Sequence, residues 1–277
     1  MNKSDKLNVY MYTKGTGSGH LTRINAVYKG FVRAGYKLHF YASAHRSKYK
    51  HFLNPAIKLC EKDEFPKSID IFICDWRTDD YIDSLPTELS KLWVGLRRLG
   101  KMPSPFPSHF YVVAIEPNVK GDTCIWPIIY TYPDELQTKQ NLNDMLNLDT
   151  NEKPIALLCE NGAYKKHIDI VFDQEIENKF KIIKCSNSPF SENKRHISYY
   201  PIAEFFRATD FLIIGGGYNS VHEALCYADL KNTRIIKVGG DDQLLRINKH
   251  KDWPIKDSSQ SHILARQLFD ILNNDKA

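Results

Sequence analysis

The sequence predicts an α/β protein of two domains, each built around a parallel β-sheet, and three observations support that prediction. Short apolar segments rich in β-branched and aromatic residues alternate with amphipathic segments along the 277 residues. The alternation stops in one polar stretch, at residues 133–152, and restarts at Pro154. Each half also carries a glycine-rich loop directly after an apolar segment, at residues 15–19 and 215–217. Strands that alternate with helices favour right-handed crossovers, and therefore a parallel sheet in each half.

The first domain is placed at residues 1–132. The segment "LNVYMYT" (7–13) predicts the first strand, a helix follows the glycine-rich loop and ends before Gly35, and "KLHFYAS" (37–43) predicts the second strand. Four more strands are predicted, at "DIFICD" (70–75), "KLWVGL" (91–96), "FYVVAIE" (110–116) and "CIWPIIY" (124–130). Residues 133–152 contain one short helical segment and are interpreted as the linker between the domains.

The second domain is placed at residues 153–277. Its strands are predicted at "PIALLCE" (154–160), "KFKIIKC" (179–185), "DFLIIGGG" (210–217) and "TRIIKVG" (233–239). A loop and a helix are predicted within "NGAYKKHIDIVFDQEI" (161–176), a short helix at "PIAEFFRA" (201–208), a helix at "SVHEALCYA" (220–228) and a final helix near "SSQSHILARQLFDILNN" (258–274). The last helix is a candidate to pack back on the first domain. Because ligands of parallel sheets bind at the carboxyl ends of the strands, we expect the sheets of the two domains to face each other across a cleft.

The composition excludes several classes of protein. It is that of a globular chain, with 42% hydrophobic and 26% charged residues. No apolar run approaches the ~20 residues that span a bilayer, so no transmembrane segment is expected. The N-terminal "MNKSDKLNVYMY" lacks the apolar core of a signal peptide, which favours a cytoplasmic protein. The six cysteines form no CxxC pair, and we expect free thiols rather than a zinc site or a disulfide framework.

The excess of positive charge lies in the first half of the chain. Residues 1–132 hold 19 of the 38 lysines and arginines but only 12 of the 33 acidic residues, whereas residues 133–277 have a net charge of −2. Basic and aromatic residues are interleaved in "FVRAGYKLHFYASAHRSKYKHF" (31–52) and "KLWVGLRRLGK" (91–101). Such a pattern is either a solvated face or the contact surface for an anionic partner, such as nucleic acid, a lipid phosphate or a membrane surface.

Two common nucleotide-binding motifs are excluded. In the first loop, "GTGSGH" (15–20), Gly15 and Gly17 match the start of the dinucleotide fingerprint, but the third glycine is Gly19, one position too early. The predicted second strand also lacks the acidic residue that holds a ribose. Neither glycine-rich loop is followed by Lys-Ser or Lys-Thr, which excludes a P-loop.

The second loop, in "FLIIGGGYNSVHEAL" (211–225), has two interpretations. Glycines are common in tight turns between a strand and a helix, because glycine tolerates positive φ and close backbone approach. The alternative is a phosphate site, since a helix that begins after Gly217 directs N–H groups and the positive end of its dipole outward. Asn219 and Ser220 can add donors to phosphate oxygens.

Three blocks together resemble the GT-B glycosyltransferases, which have two Rossmann-like domains, and most closely the branch of the peptidoglycan lipid-intermediate N-acetylglucosaminyltransferase. They are "GTGSGHLTR" (15–23), "ATDFLIIGGGYNSVHEAL" (208–225) and "VGGDDQLLRIN" (238–248). The first is similar to that branch's Gly-rich loop followed by histidine, the second to its donor motif, and the third to the segment that closes its donor site. Their order and spacing agree over most of the chain, although "CENGAY" (159–164) lacks the glycine pair usual at that point.

The resemblance implies an acceptor-side first domain, a donor-side second domain, and a UDP-sugar as co-substrate with no further cofactor. Glu223 would then bind the ribose hydroxyls, Asp242 and Gln243 the transferred sugar, and Tyr199 or Tyr200 would stack on the uracil. Without the resemblance, Glu223 is a solvent-facing helix residue and "GGDDQ" is a turn with a helix cap. The donor-binding residues implied are Gly17, Gly19, Arg23, Tyr199, Gly215, Gly216, Gly217, Asn219, Ser220, Glu223, Asp242 and Gln243.

Glycosyl transfer needs a base for the acceptor hydroxyl and stabilisation of the departing diphosphate. His20 has a suitable pKa and matches the residue used as base, or as its helper, in related enzymes. Asp75 and Glu116 end predicted strands and are alternative bases, and Arg23 is a candidate to neutralise the leaving group. The branch implies direct displacement with inversion. The sequence has no DxD motif of the metal-dependent transferases, so no metal is predicted.

The acceptor stays open between two kinds of anionic molecule. The basic first domain suits a lipid-linked or small-molecule acceptor, with the protein at the inner face of a membrane, and this is the favoured prediction. It also suits DNA, as for the transferases that phages use on hydroxymethylated bases in the host cytoplasm. A UDP-sugar 2-epimerase, with Asp75 and Glu116 as paired carboxylates, and a binding protein without turnover are the further alternatives. The sugar and the oligomeric state are not predicted.

Overall fold

The structure, a computed structural model, describes residues 6–13, 17–43, 50–61, 64–75, 80–100, 105–146, 153–160, 174–186 and 196–274. The chain divides into two compact units, Met1–Tyr130 with Ser259–Ala277, and Thr131–Ser258. Each unit contains one sheet in which all paired strands are parallel. The predicted fold class, α/β with a parallel Rossmann-like sheet in each half, is therefore confirmed.

Among the described residues, α-helices separate only some of the strands, and no α-helix lies between Leu38 and Cys124. The strands are β1 (Leu7–Tyr12), β2 (Leu38–Ala42), β3 (Ile57–Leu59), β4 (Ile69–Asp75), β5 (Ser90–Arg97), β6 (Phe110–Ala114), β7 (Thr123–Cys124), β8 (Ile155–Glu160), β9 (Lys181–Ser186), β10 (His196–Ser198), β11 (Phe211–Gly215) and β12 (Thr233–Ile236). The α-helices are α1 (Ser18–Arg33), α2 (Lys139–Leu146), α3 (Gln174–Lys179), α4 (Tyr218–Tyr227), α5 (Asp241–Lys249) and α6 (Ser261–Asn274).

The sheet of the first unit has seven strands in the order β3-β2-β1-β4-β5-β6-β7. Its centre is β4, which pairs with β1 on one side and β5 on the other. All seven residues of β4 are buried. A strand covered on both faces needs an almost continuous apolar run, and "IDIFICD" provides one. Its two aspartates have charged partners, since Asp70 Oδ1 accepts a 2.5 Å bond from Lys91 Nζ and Asp75 belongs to the cluster described below.

The predicted strand at residues 124–130 is wrong beyond its first residue. The ladder of β7 with β6 ends at Cys124, although residues 125–129 are buried. Pro127, which follows a cis peptide bond, has no N–H to donate to a ladder. The carbonyls of Pro127 and Ile129 instead accept bonds from Gln260 N (2.8 Å) and Ser259 Oγ (2.7 Å). This segment therefore binds the chain that leads into α6.

Helix α6 packs against α1 in the first unit. The contact is close at Gly30, where a Cβ atom would overlap the Ser261 carbonyl group. Leu264, Leu268 and Leu272 bury their side chains from the α6 side. Residues 259–274, predicted as part of the second domain, thus belong to the first unit, as the prediction for the last helix allowed.

The sheet of the second unit has five strands in the order β10-β9-β8-β11-β12. The described part of the predicted linker packs within this unit. Gln137 N donates to Glu204 O (2.8 Å), and Lys139 Nζ lies 2.7 and 2.8 Å from the two carboxylate oxygens of Asp210. Among the described residues of the predicted linker, those up to Leu146 are therefore part of the second unit rather than a free connection.

Among the strands and α-helices of the described residues, three were not predicted from the sequence: the short edge strands β3 and β10, and helix α5. Residues 161–173 of the loop and helix predicted at 161–176 lie outside the described residues. Helix α3 is described from Gln174 onward. In the part of the chain that the structure describes, no helix combines the length and apolar character needed to cross a membrane.

Candidate functional site

A cluster of polar side chains lies at the carboxyl ends of β1 and β4, which are neighbours in the first sheet. It consists of Thr13, His20, Arg23 and Asp75, and we call it the histidine cluster. His20 and Arg23 are three residues apart on α1 and project from one face of the helix, while Asp75 ends β4. Arg23 donates to both oxygens of Asp75, from Nε (2.8 Å) and Nη2 (3.0 Å). Such bidentate pairs are the strong ones and fix the orientation of the carboxylate.

The same carboxylate fixes the tautomer of His20. His20 Nδ1 lies 2.7 Å from Asp75 Oδ2 and 3.0 Å from Thr13 Oγ1. A carboxylate only accepts, so Nδ1 carries the proton and donates. The 3.2 Å approach of Arg23 Nη2 to Nδ1 is then a contact between two donors, which is tolerable because Nη2 donates to Asp75. The lone pair of the neutral ring is consequently on Nε2.

Burial and charge set the protonation states of the cluster. The side chains of Asp75 and Arg23 are 0% and 2% exposed, whereas that of His20 is 18% exposed, so only the imidazole reaches the surface of the unit. Burial lowers the pKa of His20 and outweighs the attraction of Asp75, with Arg23 and Arg98 lowering it further. Burial alone would raise the pKa of Asp75, but Arg23 and His20 hold it well below the usual range. At neutral pH the pair is therefore a neutral imidazole on an ionised carboxylate.

Glu116 lies after β6 and has a different set of contacts. It is fully buried, and its Oε2 accepts a 2.5 Å bond from the backbone N–H of Leu99. Leu99 follows β5 by two residues, so Glu116 fixes the loop that carries Arg98. This contact is structural, and it ties the loop after β5 to the sheet edge where the histidine cluster lies.

The three glycines at residues 215–217, which we call the glycine turn, connect β11 to α4. Gly217 precedes the helix with φ −68° and ψ 154°, a conformation open to any residue. The space at Gly216 is tight, since a Cβ there would lie 3.0 Å from Ile247 Cδ1 and 3.1 Å from Gln243 Cβ. Close packing of α5, rather than positive φ, thus explains the glycine at 216. No acidic residue occupies the first turn of α4, whose N–H groups make no intrahelical bonds.

Glu223 is buried rather than solvent-facing, with 5% of its surface exposed. Burial raises the pKa of the Cys159 thiol, and the charges of Cys185 and Glu223 raise it further. Burial likewise raises the pKa of Cys226 to about 12, again with a contribution from Glu223. Since Cys159 lies near the carboxyl end of β8, the Glu223 carboxylate is close to the carboxyl edge of the second sheet.

Helix α5 places the remaining predicted donor residues beside the glycine turn. Gln243 is buried, and its Oε1 accepts a 3.0 Å bond from Val238 N, which holds the loop before the helix. Asp242 keeps a third of its side chain exposed, and its Oδ2 accepts a 2.8 Å bond from Arg246 Nη1. The same Nη1 lies 3.4 Å from the carbonyl oxygen of Gly216.

Tyr199 makes contacts within the second unit. Its hydroxyl donates a 2.6 Å bond to Glu204 Oε2, and its ring packs edge-on against Phe205 with 4.7 Å between centroids. Burial raises the pKa of Tyr199 to about 12, and Glu204 adds to the shift. These contacts hold the hydroxyl and one edge of the ring, and the stacking of Tyr199 on a uracil stays a prediction.

The structure therefore brings the predicted residues together in two groups. One is the histidine cluster in the first unit, with Gly17 and Gly19 at the start of α1. The other is the glycine turn with Asn219, Ser220 and Glu223 on α4 and Asp242 and Gln243 on α5. Sequence reasoning missed Arg98 and Arg246. The only local signal for Arg246 is its spacing of four residues from Asp242, which suits a helical ion pair. Gly15 and residues 161–164, also singled out from the sequence, lie outside the described residues.

Known proteins offer distant likenesses to this chain. Neither a protein-family model nor a curated protein sequence matches it. Among solved structures, the chain is similar to the glycosyltransferase SnogD from Streptomyces nogalater, with 12% identity, a TM-score of 0.44, and coverage of 96% of this chain and 95% of that one. It is also similar to a glycosyltransferase from Rickettsia africae ESF-5, with 11% identity, a TM-score of 0.44, and coverage of 98% and 94%. The residues of the two groups, rather than these likenesses, carry the function proposed next.

Proposed function

We propose that the chain is a glycosyltransferase that moves a sugar from a UDP-sugar to an acceptor hydroxyl, with inversion at the anomeric carbon. The observation that carries this proposal is the geometry of the histidine cluster. A partly exposed imidazole is held by a fully buried carboxylate 2.7 Å away, at the carboxyl ends of two neighbouring parallel strands. A neutral imidazole with an oriented tautomer is what general base catalysis on a hydroxyl requires.

In the proposed reaction, His20 Nε2 removes the proton of the acceptor hydroxyl while the hydroxyl oxygen bonds to the anomeric carbon. The bond between that carbon and the diphosphate oxygen breaks, and its electron pair leaves with UDP. Asp75 stabilises the imidazolium that forms, as a buried carboxylate does in other histidine pairs. Arg23, committed to Asp75 through two bonds, keeps that carboxylate ionised and aligned. We therefore assign Asp75 and Arg23 to positioning, and Glu116 to the support of the loop after β5.

The glycine turn and α4 are proposed to hold the donor. The first turn of α4 offers backbone N–H groups and the positive end of a helix dipole to the diphosphate, an interaction worth roughly 0.3–1 kcal/mol per charge at an exposed helix end. Asn219 and Ser220, both half-buried, can add side-chain donors. Glu223 is proposed to bind the ribose hydroxyls, and the exposed part of Asp242 those of the sugar.

We favour the transferase over the epimerase alternative, which needs paired catalytic carboxylates. Asp75 is fully buried in its pair with Arg23, and Glu116 is fully buried on the backbone of Leu99.

For the acceptor, we propose an anionic molecule, lipid-linked or small. The net charge of residues 1–132 also favours DNA as a second candidate, and the two differ in response to salt, because binding to DNA releases counterions and weakens steeply as salt rises.

The test measures thermal unfolding with uridine, UDP, GDP and a panel of UDP-sugars, each with and without short duplex DNA. A ligand at 100 times its Kd that binds only the folded state adds roughly 2.7 kcal/mol of stability. We expect stabilisation by UDP and by one UDP-sugar. The variant His20→Ala should keep the stabilisation by UDP and lose the release of UDP from that UDP-sugar, whereas His109→Ala, which changes an exposed histidine of the same unit, should keep both. Absence of any response to uridine nucleotides would contradict the proposal.

A further inference from the structure

Arg246 is a buried charge at the meeting point of three elements of the second unit. None of its side chain is exposed. Its Nη1 reaches the carbonyl of Gly216 in the glycine turn and the carboxylate of Asp242 at the start of α5. Its guanidinium also lies over the ring of Tyr218, the first residue of α4, with 5.9 Å between the guanidinium carbon and the ring centroid. One side chain thus contacts the turn and the beginnings of both flanking helices.

Stability alone is a poor explanation for this residue. A buried ion pair loses in desolvation much of what it gains in attraction, and apolar side chains of similar volume often replace such pairs at no cost. Arginine is, however, suited to join acceptors from separate elements, because its donors form a rigid planar fork. The contacts of Arg246 therefore indicate a geometric role.

That role follows from the geometry of the peptide bond between Gly216 and Gly217. The C=O and N–H of a trans peptide point in opposite directions. When Arg246 holds the Gly216 carbonyl, the N–H of Gly217 is turned away from Arg246, and Gly217 directly precedes the first turn of α4. Close packing of α5 on Gly216 limits the room in which this peptide can rotate.

We propose that Arg246 is a positioning residue of the donor site: it orients the Gly216–Gly217 peptide so that the Gly217 N–H donates to a phosphate of the nucleoside diphosphate, and it holds the Asp242 carboxylate in place for the sugar hydroxyls. The inference rests on the proposed function, since it names how the same donor site recognises the diphosphate. Arg246 itself does not touch the ligand, so its loss should affect the phosphate part of the ligand and spare the nucleoside part.

The experiment compares the affinities of uridine and UDP for the full chain and three variants. Arg246→Met removes the charge at similar volume, Arg246→Lys keeps a charge without the planar fork, and Arg207→Met removes an exposed arginine of the same unit as the control. We expect Arg246→Met to weaken UDP at least tenfold while uridine changes less than twofold. Arg246→Lys should also weaken the binding of UDP more than that of uridine, and Arg207→Met should bind both with the affinities of the parent.

A second readout follows the peptide directly. In the parent chain the amide resonance of Gly217 should shift when UDP is added, and in both Arg246 variants that shift should be lost or much reduced. A parent-like ratio of UDP to uridine affinity in either folded Arg246 variant would overturn the inference, even if the variant unfolds at a lower temperature. If Arg246→Met does not fold, Arg246→Lys decides. A parent chain that does not bind UDP would overturn the proposed function, and the inference with it.

Discussion

Asp75 is the residue on which the geometry of the first site depends. It receives two bonds from Arg23 and one from His20, and none of its side chain is exposed. An ion pair this deeply buried costs several kcal/mol in desolvation per ion, which its mutual attraction only partly returns. Its value is orientation: Arg23 fixes the carboxylate, the carboxylate fixes the tautomer of His20, and the lone pair of the neutral imidazole is left on Nε2.

The depressed pKa of His20 predicts how stability depends on pH. Because burial holds the folded pKa below the unfolded value of 6.5, the unfolded chain takes up the proton first as pH falls. The contribution of His20 to stability is thus fully present above pH 6.5 and is lost as pH falls through the lowered pKa. Denaturant unfolding between pH 8 and 5 should show this loss. In His20→Gln the free energy of unfolding should fall less steeply as the pH is lowered. His262, whose pKa burial also lowers, remains in both chains, so the difference isolates His20. An unchanged slope would contradict the assignment.

Arg98 should act on His20 through its charge. The positive charge of Arg98 is one of the factors that lower the pKa of His20, after burial and beside Arg23. Replacing it by glutamine removes that repulsion of the imidazolium, so Arg98→Gln should raise the pKa of His20. NMR titration of the ring protons measures this directly. Arg97→Gln is the matched control, because the neighbouring Arg97 donates to Lys120 O instead. Equal shifts in the two variants would show a general charge effect rather than a specific one.

These residues differ in how far a sequence can reveal them. His20 lies at the start of a helix and Asp75 at the end of a strand, so alternation along the chain is enough to place them near a sheet edge, whereas the role of Glu223, in the middle of α4, was implied only by the resemblance. Arg246 gives almost no such signal, because what matters is its contact with Gly216, thirty residues away. Gly216 illustrates the reverse case: its place in a turn between a strand and a helix was predictable, but the packing of α5 against it was not.

At the scale of elements, local pattern predicted the central strands well and the edges poorly. The seven buried residues of β4 form a run that only a covered strand needs. Strand β3 has three residues, of which two are exposed, so it has no pattern to detect. Helix α5 begins within "GGDD", a strong turn signal. That signal favours a turn at the residues where the helix starts, so the four-residue periodicity that follows was not read as a helix. The wrong strand at 124–130 is apolar because it is buried, yet its carbonyls bind the segment before α6 rather than a strand.

The packing of α1 on α6 predicts the effect of adding one methyl group. In Gly30→Ala the new Cβ would overlap the backbone carbonyl of Ser261, which cannot move aside as a flexible side chain can. Overpacking of this kind typically costs about 1–3 kcal/mol, against a small gain from the helix propensity of alanine. Urea unfolding should therefore show a loss of that size. Val32→Ala, on the exposed side of the same helix, should stay within about 0.5 kcal/mol of the parent. A stabilised Gly30→Ala would mean that the two helices are not in close contact.

At the scale of the whole molecule, the chain returns at its end to the unit in which it began. Residues 259–277 belong to the first unit, while residues 131–258 form the second. The apolar side chains that α6 buries include Leu264, Leu268 and Leu272. Burying each is worth about 1.5–3 kcal/mol, and a domain is stable by only ~5–15 kcal/mol in total. The first unit therefore depends on a segment that is distant in sequence.

A chain that ends at Ser258 tests this dependence. We expect its first unit to lose most of its stability, since the apolar face of α1 around Gly30 is uncovered, while the second unit retains its own sheet and core. Hydrogen exchange should show lost protection in β4 and β5 and retained protection in β8 and β11, and a chain shortened only by residues 275–277 is the control. If UDP binds the second unit as proposed, it should still protect α4 in the truncated chain. Protection lost equally in both sheets would mean that the units fold as one, and protection kept in β4 would mean that α6 adds little to the first core.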